Sequence, residues 1–210
     1  MAIDIAPTVT AENPHTYREQ MERIAPFARR IHVDYADGLF APTKLVPPIQ
    51  SWIPEGPVVD LHVMYQDPAA EIEQLISLRP NTIVLHAEAN GNVLGLIREI
   101  NGAGIRSGIA LLQNTQPEEY ANEIEEAEHV LIFGGHLGYH GGEADLSMLE
   151  KCDRIREINP LVELGWDGGA NDTNIGKLAQ AGIHVVNVGS FVQKADDPSA
   201  AYAILESVVN

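Results

Sequence analysis

The chain has a single cysteine, Cys152, among 210 residues, so no internal disulfide can form and the protein suits a reducing compartment. Basic residues are scarce as well. Thirteen Lys and Arg against 30 Asp and Glu leave a net charge of −17, a field that repels phosphate backbones and anionic lipid surfaces. Nucleic acid and membrane are therefore not expected as partners, and an anionic small molecule would need backbone amides or a metal ion to overcome the same field. No apolar run approaches the ~20 residues of a membrane span. Met1 to Pro7 carry no basic region leading into an apolar segment, and the expectation is a soluble, cytoplasmic protein. The four lysines, Lys44, Lys151, Lys177 and Lys194, fall in expected loops and helices rather than at strand ends, which disfavours Schiff-base chemistry. Aromatics make up only 6%, but a hydrophobic fraction of 45% is ample for an aliphatic core and argues against disorder.

What the sequence does contain is an alternation. Short runs rich in Val, Ile and Leu are separated by longer stretches of helical period, the pattern of βα units on a parallel sheet. The runs are Ile3 to Ala6, Ile31 to Ala36, Val58 to Met64, Thr82 to His86, Ile105 to Leu112, His129 to Phe133, Val162 to Trp166 and His184 to Val188. Thr8 to Glu12 reads as a loop, and Asn13-Pro14, Asp67-Pro68 and Asp197-Pro198 each read as a helix start with a capping residue and a first-turn proline. Leu39 to Pro57 is too long for a simple connector and is expected to lie over a site. The helix expected over Asp145 to Asn159 places Cys152 on its apolar face, as a core residue. About eight such units predict a single (β/α)8 TIM barrel of one domain, residues 1–210, with its active site at the carboxyl ends of the strands. An open doubly wound sheet is the alternative, but Pro7 to Ala11 lacks the glycine fingerprint of such folds.

Candidate site residues gather at those strand ends. In Ile31-His32-Val33-Asp34 the alternation of a strand points His32 and Asp34 to one face. His62 interrupts an otherwise apolar strand, and Asp167-Gly168-Gly169 follows another. A histidine and an ionised aspartate are costly to bury unless paired or metal-bound. The quartet His32, Asp34, His62 and Asp167 therefore reads as a divalent-metal site, although a His–Asp pair plugging the barrel mouth would also satisfy the pattern. Two nitrogens and two carboxylates suit Zn2+, Fe2+, Mn2+ or Co2+. Lone histidines such as His86 and His184 read as core or surface residues. Gly168-Gly169 and Gly189-Ser190 follow the last two strands, where barrels commonly bind phosphate through backbone N–H groups. A metal that chelates a ketone oxygen and a neighbouring hydroxyl acidifies the carbon between them. Two carboxylates on opposite faces could then invert that carbon.

These segments together resemble the ribulose-phosphate 3-epimerase family. His32 to Phe40 is similar to its HxDxxDGxF segment, Asp60 to Met64 to its DxHxM, His86-Ala87-Glu88 to its HxE, Asp167 to Gly169 to its DGG and Gly189-Ser190 to its final GS. The resemblance runs from Ile5 to Phe191. It implies a metal-dependent isomerase of carbohydrate metabolism that interconverts ribulose 5-phosphate and xylulose 5-phosphate, and it makes a homo-oligomer the expected assembly. It implies His32, Asp34, His62 and Asp167 as metal ligands, with Asp34 accepting the substrate proton and Asp167 donating one. It also implies substrate contacts from Thr8, His62, Met64, the loop residues Gly138, Tyr139, His140 and Gly141, and from Gly168, Gly169, Gly189 and Ser190. The departures lie in the lining. Thr8 stands where the family usually has serine, Ala36 and Phe133 where it usually has methionines, His140 where it has a glycine, and Trp166 is bulkier than usual. An epimerase for another ketose phosphate, such as a hexulose 6-phosphate like allulose 6-phosphate, or a sugar-phosphate-binding protein without turnover, remain the competing expectations.

Overall fold

A computed structural model describes residues 3–135, 137 and 142–209. Eight parallel strands, β1 (Asp4–Val9), β2 (Arg30–Ala36), β3 (Val58–Met64), β4 (Thr82–His86), β5 (Arg106–Leu111), β6 (His129–Phe133), β7 (Glu163–Asp167) and β8 (Val185–Val188), pair in sequence order, and β8 closes onto β1. The fold is a (β/α)8 TIM barrel. Around it run α1 (Pro14–Ile24), α2 (Ile72–Ser77), α3 (Val93–Gly102), α4 (Ala121–Glu126), α5 (Lys151–Ile158), α6 (Ile175–Gln180), α7 (Ser190–Gln193) and α8 (Pro198–Val209).

The strand count and order agree with the sequence reading, and the differences are local. β1 does not stop at Ala6. It continues through Pro7 to Val9, because β-branched Thr8 and Val9 pair with His32 and Val33 of β2. Two of the three Asx-Pro starts cap helices: Asn13 accepts from the amides of His15 and Thr16, and Asp197 accepts from the amide of Ala200. At Asp67-Pro68 the chain instead makes one 3-10 turn, Pro68–Glu71, before α2 begins. The helices expected from Pro117 and Asp145 likewise open as 3-10 turns, Pro117–Tyr120 and Leu146–Glu150. Cys152 is buried in the core, and burial pushes its thiol up to about 11.

Between β2 and β3 a long loop replaces the usual helix, with one 3-10 turn at Pro48–Gln50. Side chains tie it down. Asp37 accepts from the amides of Leu39 and Phe40 with one oxygen and from that of Gln66 with the other. The Tyr35 hydroxyl meets Ser51 Oγ at 2.6 Å, and the Tyr17 hydroxyl donates to the Trp52 carbonyl at 2.7 Å.

The main core lies between the strands and the helices, while the barrel interior is filled in layers. Val84, Ala110 and Leu131 form a separate apolar cluster at mid-height. Gly165 leaves room there: a Cβ on it would overlap the His129 ring and lie 3.0 Å from Leu131 Cδ1. Below, at the amino ends of the strands, a knot of charge closes the barrel. Arg30 is 5% exposed. It donates twice to Glu163, at 2.8 and 3.0 Å, and once to Asp60, while His129 Nδ1 lies 2.8 Å from Glu163 Oε2. Burial would raise the Glu163 pKa, but His129 and Arg30 outweigh it and hold this carboxyl far below the usual range.

Arg30→Met would leave the Asp60 carboxylate, among the described residues, without a cation and held only by the Asn81 amide, while Glu163 keeps His129 and Arg106; it is expected to cost about 3–5 kcal/mol, measured by urea unfolding. Because the folded-state pKa of Glu163 is depressed, its contribution is present above the unfolded value of about 4.3 and is lost as pH falls below it. Glu163→Gln should therefore flatten the acid limb of the stability curve. An unchanged slope would show that this carboxylate carries no such linkage.

Candidate metal centre

At the opposite, carboxyl rim the same two-residue period brings the candidate ligands together. His32 and Asp34 lie on one face of β2. Register pairs Asp34 with His62 of β3, and Asp167 is the last residue of β7. His32 Nε2 lies 3.2 Å from Asp34 Oδ1 and 3.4 Å from Asp167 Oδ2. His62 Nδ1 lies 3.0 Å from the first of these oxygens and 3.4 Å from the second. Nitrogen and oxygen thus alternate around a small ring, and all four ligand atoms fall within 4.8 Å of one another.

The electrostatics follow from burial. Desolvation disfavours an imidazolium at His32, yet Asp167 and Asp34 outweigh it and raise its pKa to about 10. His62 is raised in the same way. Burial pushes both carboxyls up, but the two histidines hold Asp34 and Asp167 below the ordinary range. Carboxylate and imidazolium thus favour one another within the quartet. The donor set also fits an ion: the four nitrogen–oxygen separations of 3.0–3.4 Å are close to the about 3.4 Å between tetrahedral ligands at about 2.1 Å. His32, Asp34, His62 and Asp167 would hold it.

Behind the quartet stand further groups, of which sequence patterns did not single out Thr10, Gln20 and Asn187. Thr10 Oγ1 donates to Asp34 Oδ2 at 2.7 Å, and Gln20 clamps the backbone of Thr10, accepting from its N–H and donating to its carbonyl. Asn187 Nδ2 approaches His32 Nε2 at 3.4 Å. Both signals were available. Thr10 follows Thr8 at the strand period, hidden because the segment reads as a loop, and Asn187 is the polar exception in Val185-Val186-Asn187-Val188. His86 is fully buried, with Nε2 2.8 Å from His62 Nε2 and Nδ1 3.2 Å from Glu88 Oε2. Burial lowers its pKa to about 4 despite Glu88.

A cavity of about 270 Å³ opens above the quartet. Asp34 and Asp167 line it with Thr8, Ala36, Met64 and Phe133, and so do Gly168, Gly169, Gly189 and Ser190. Lys194 is the one cation among the described residues that line it. Thr8 Oγ1 is buried and finds no hydrogen-bond partner among the described residues. Ala36 and Met64 pack with Ala41 and Leu45, and Leu137 folds against them. Gly138, Tyr139, His140 and Gly141 lie outside the described residues. Gly168 and Gly169 both have positive φ, and a Cβ on either would overlap backbone of the 134–135 or the 142–144 segment. Packing alone therefore demands these two glycines. Gly189 is different: a Cβ there would meet only Thr8 Cβ, at 3.9 Å.

A closed barrel whose catalytic rim gathers two imidazoles and two carboxylates around a space for one small cation defines a barrel enzyme with a candidate divalent-metal centre. The model of the ribulose-phosphate 3 epimerase family matches residues 4–193. Ribulose-phosphate 3-epimerase of Helicobacter pylori (strain ATCC 700392 / 26695) is 31% identical over 216 residues, covering 97% of each chain. That of Mycobacterium bovis is 32% identical over 184 residues, 83% of this chain and 80% of its own. Among solved structures, 3-hexulose-6-phosphate synthase from Salmonella typhimurium superposes with a TM-score of 0.67 at 12% identity, over 99% of this chain and 98% of that one, a likeness of fold alone. This chain belongs to the ribulose-phosphate 3 epimerase family and is an isomerase of the epimerase type. No helix among the described residues is long and apolar enough to cross a membrane.

Zinc must displace protons from the imidazoles, so its affinity should fall as pH is lowered from about 8 to 6. Calorimetry in two buffers of different ionisation enthalpy measures the release. Binding without any proton release would remove the histidines from the ligand set.

Proposed function

We propose that this barrel inverts C3 of a ketose phosphate, interconverting D-ribulose 5-phosphate and D-xylulose 5-phosphate. The observation that carries the reading is that Asp34 and Asp167, from β2 and β7, both flank the same pair of imidazole nitrogens. A bound divalent ion, Zn2+, Fe2+, Mn2+ or Co2+, would supply Lewis-acid polarisation of the ketone and the adjacent hydroxyl. Asp34 removes the C3 proton, and Asp167 returns one to the other face of the enediolate. Thr10, hydrogen-bonded to Asp34 Oδ2, orients the base.

The buried, unpartnered Thr8 hydroxyl supports a polar contact with the sugar, and Met64 lines the same cavity, whereas His62 is fully buried and does not line it. Backbone N–H groups of Gly168, Gly169, Gly189 and Ser190, with the Lys194 ammonium, would take the phosphate at the cavity's edge. In a chain of charge −17, such a local cluster is what lets an anion approach.

One observation favours a different sugar. Ala36 and Phe133 line the cavity where the family pattern has methionines, and the Phe133 ring centroid sits 5.9 Å from that of His62. A bulky ring beside a small residue reshapes the floor under the ketose, so a hexulose 6-phosphate is the second reading. Comparing turnover on the two sugars decides between them.

In deuterium oxide the product should carry one solvent deuteron at C3, and Asp34→Asn should lose roughly 10²–10⁴-fold in turnover. Binding of the sugar phosphate with no deuterium exchange would reduce the protein to a binder. Gly189→Ala adds a methyl group facing the cavity without a packing clash. It should raise KM for the sugar phosphate by about tenfold, the size expected for a lost hydrogen bond to a charged group, with the melting temperature close to wild type. An unchanged KM would move the phosphate elsewhere.

A further inference from the structure

We infer that His86, Glu88 and the 112–115 loop act as a positioning relay that commits His62 to hold the ion through Nδ1. The inference rests on the metal-centre reading given above. Two imidazole nitrogens, His62 Nε2 and His86 Nε2, face each other at 2.8 Å, and at that distance one must carry a hydrogen and the other must be bare. The far side of His86 decides which. Its Nδ1 lies 3.2 Å from Glu88 Oε2, and a carboxylate only accepts, so the hydrogen of a neutral His86 belongs on Nδ1. His86 Nε2 is then the acceptor, His62 Nε2 is the donor, and His62 Nδ1 is left bare toward Asp34 and Asp167. A hydrogen on the wrong nitrogen at any point would turn an N–H toward the ion.

Glu88 is itself fixed. Its Oε1 accepts from the Leu112 amide at 2.9 Å and from the Thr115 hydroxyl. The loop that presents those donors is pinned by Lys151, a buried ammonium on α5 that donates to the carbonyls of Leu112, Gln113 and Thr115 at 2.6, 3.0 and 2.7 Å. Phe40 and Phe133 flank the His86 ring, with centroids 4.6 and 6.1 Å away, and shield it from competing water. The donors thus converge on Glu88, from the outer helix layer inward and from His62 outward. Outer partners of this kind orient metal-bound histidines, and their loss typically weakens metal binding 10–100-fold.

Glu88→Gln is the informative change. If its amide oxygen keeps the Leu112 and Thr115 donors, its NH2 faces His86 Nδ1. The His86 hydrogen then moves to Nε2, and that of His62 to Nδ1. Zinc affinity of the metal-free proteins, measured by competition with a chromophoric chelator, should fall 10–100-fold in Glu88→Gln. Long-range 15N–1H spectra of the zinc-loaded wild type should show His62 protonated at Nε2, a readout that does not depend on the variant folding. Equal zinc affinity in the two proteins, or a proton on His62 Nδ1 in the zinc-loaded wild type, overturns the relay while leaving the metal centre standing. A wild type that binds no zinc overturns the metal centre and the relay with it.

Discussion

Two carboxylates and two imidazoles, withdrawn from water at one rim of the barrel, must share a space that only opposite charge makes tolerable. Everything near them answers to that constraint. Asp34 and Asp167 favour the charged form of His32 and His62, and a bound dication would answer the same negative charge. Either way the quartet is held by strands rather than loops, so its atoms are fixed before any ligand arrives, which is the condition for acid–base chemistry on two faces of one carbon.

The barrel keeps this site separate from a second buried charge assembly. Arg30, Asp60, Glu163 and His129 pair with one another at the far end, and between the two lies the apolar layer of Val84, Ala110 and Leu131, thinned by Gly165. The lower knot is made of groups that already satisfy one another, and its role is closure. In the upper quartet, Asp34 and Asp167 line an open cavity. Similar side chains thus do different work according to which end of the strands they occupy.

The quartet was legible in the sequence because a strand repeats every two residues: His32 and Asp34 had to share a face, and His62 and Asp167 stood out against apolar neighbours. The same period, followed downward, reads Arg30, His32, Asp34 on β2, Asp60, His62, Met64 on β3 and Glu163, Gly165, Asp167 on β7. The lower knot was therefore encoded in the same rows, though nothing marked those residues as partners. Thr10 was missed because Pro7 looks like the end of a strand that in fact continues. The contact of His86 with His62 depends on how strongly the barrel is staggered, and the reach of Lys151 to three carbonyls depends on how α5 docks. Neither is a local property of sequence.

The tight seating of Gly168 and Gly169 against neighbouring backbone bears on how such chains diverge. A descendant that had lost all affinity for phosphate would still be obliged to keep both, since any side chain there collides with the adjacent loop. The two glycines of that Asp-Gly-Gly triplet therefore report an intact scaffold more than an intact activity. Gly189, free of that obligation, is a position where a side chain could enter without disturbing the scaffold.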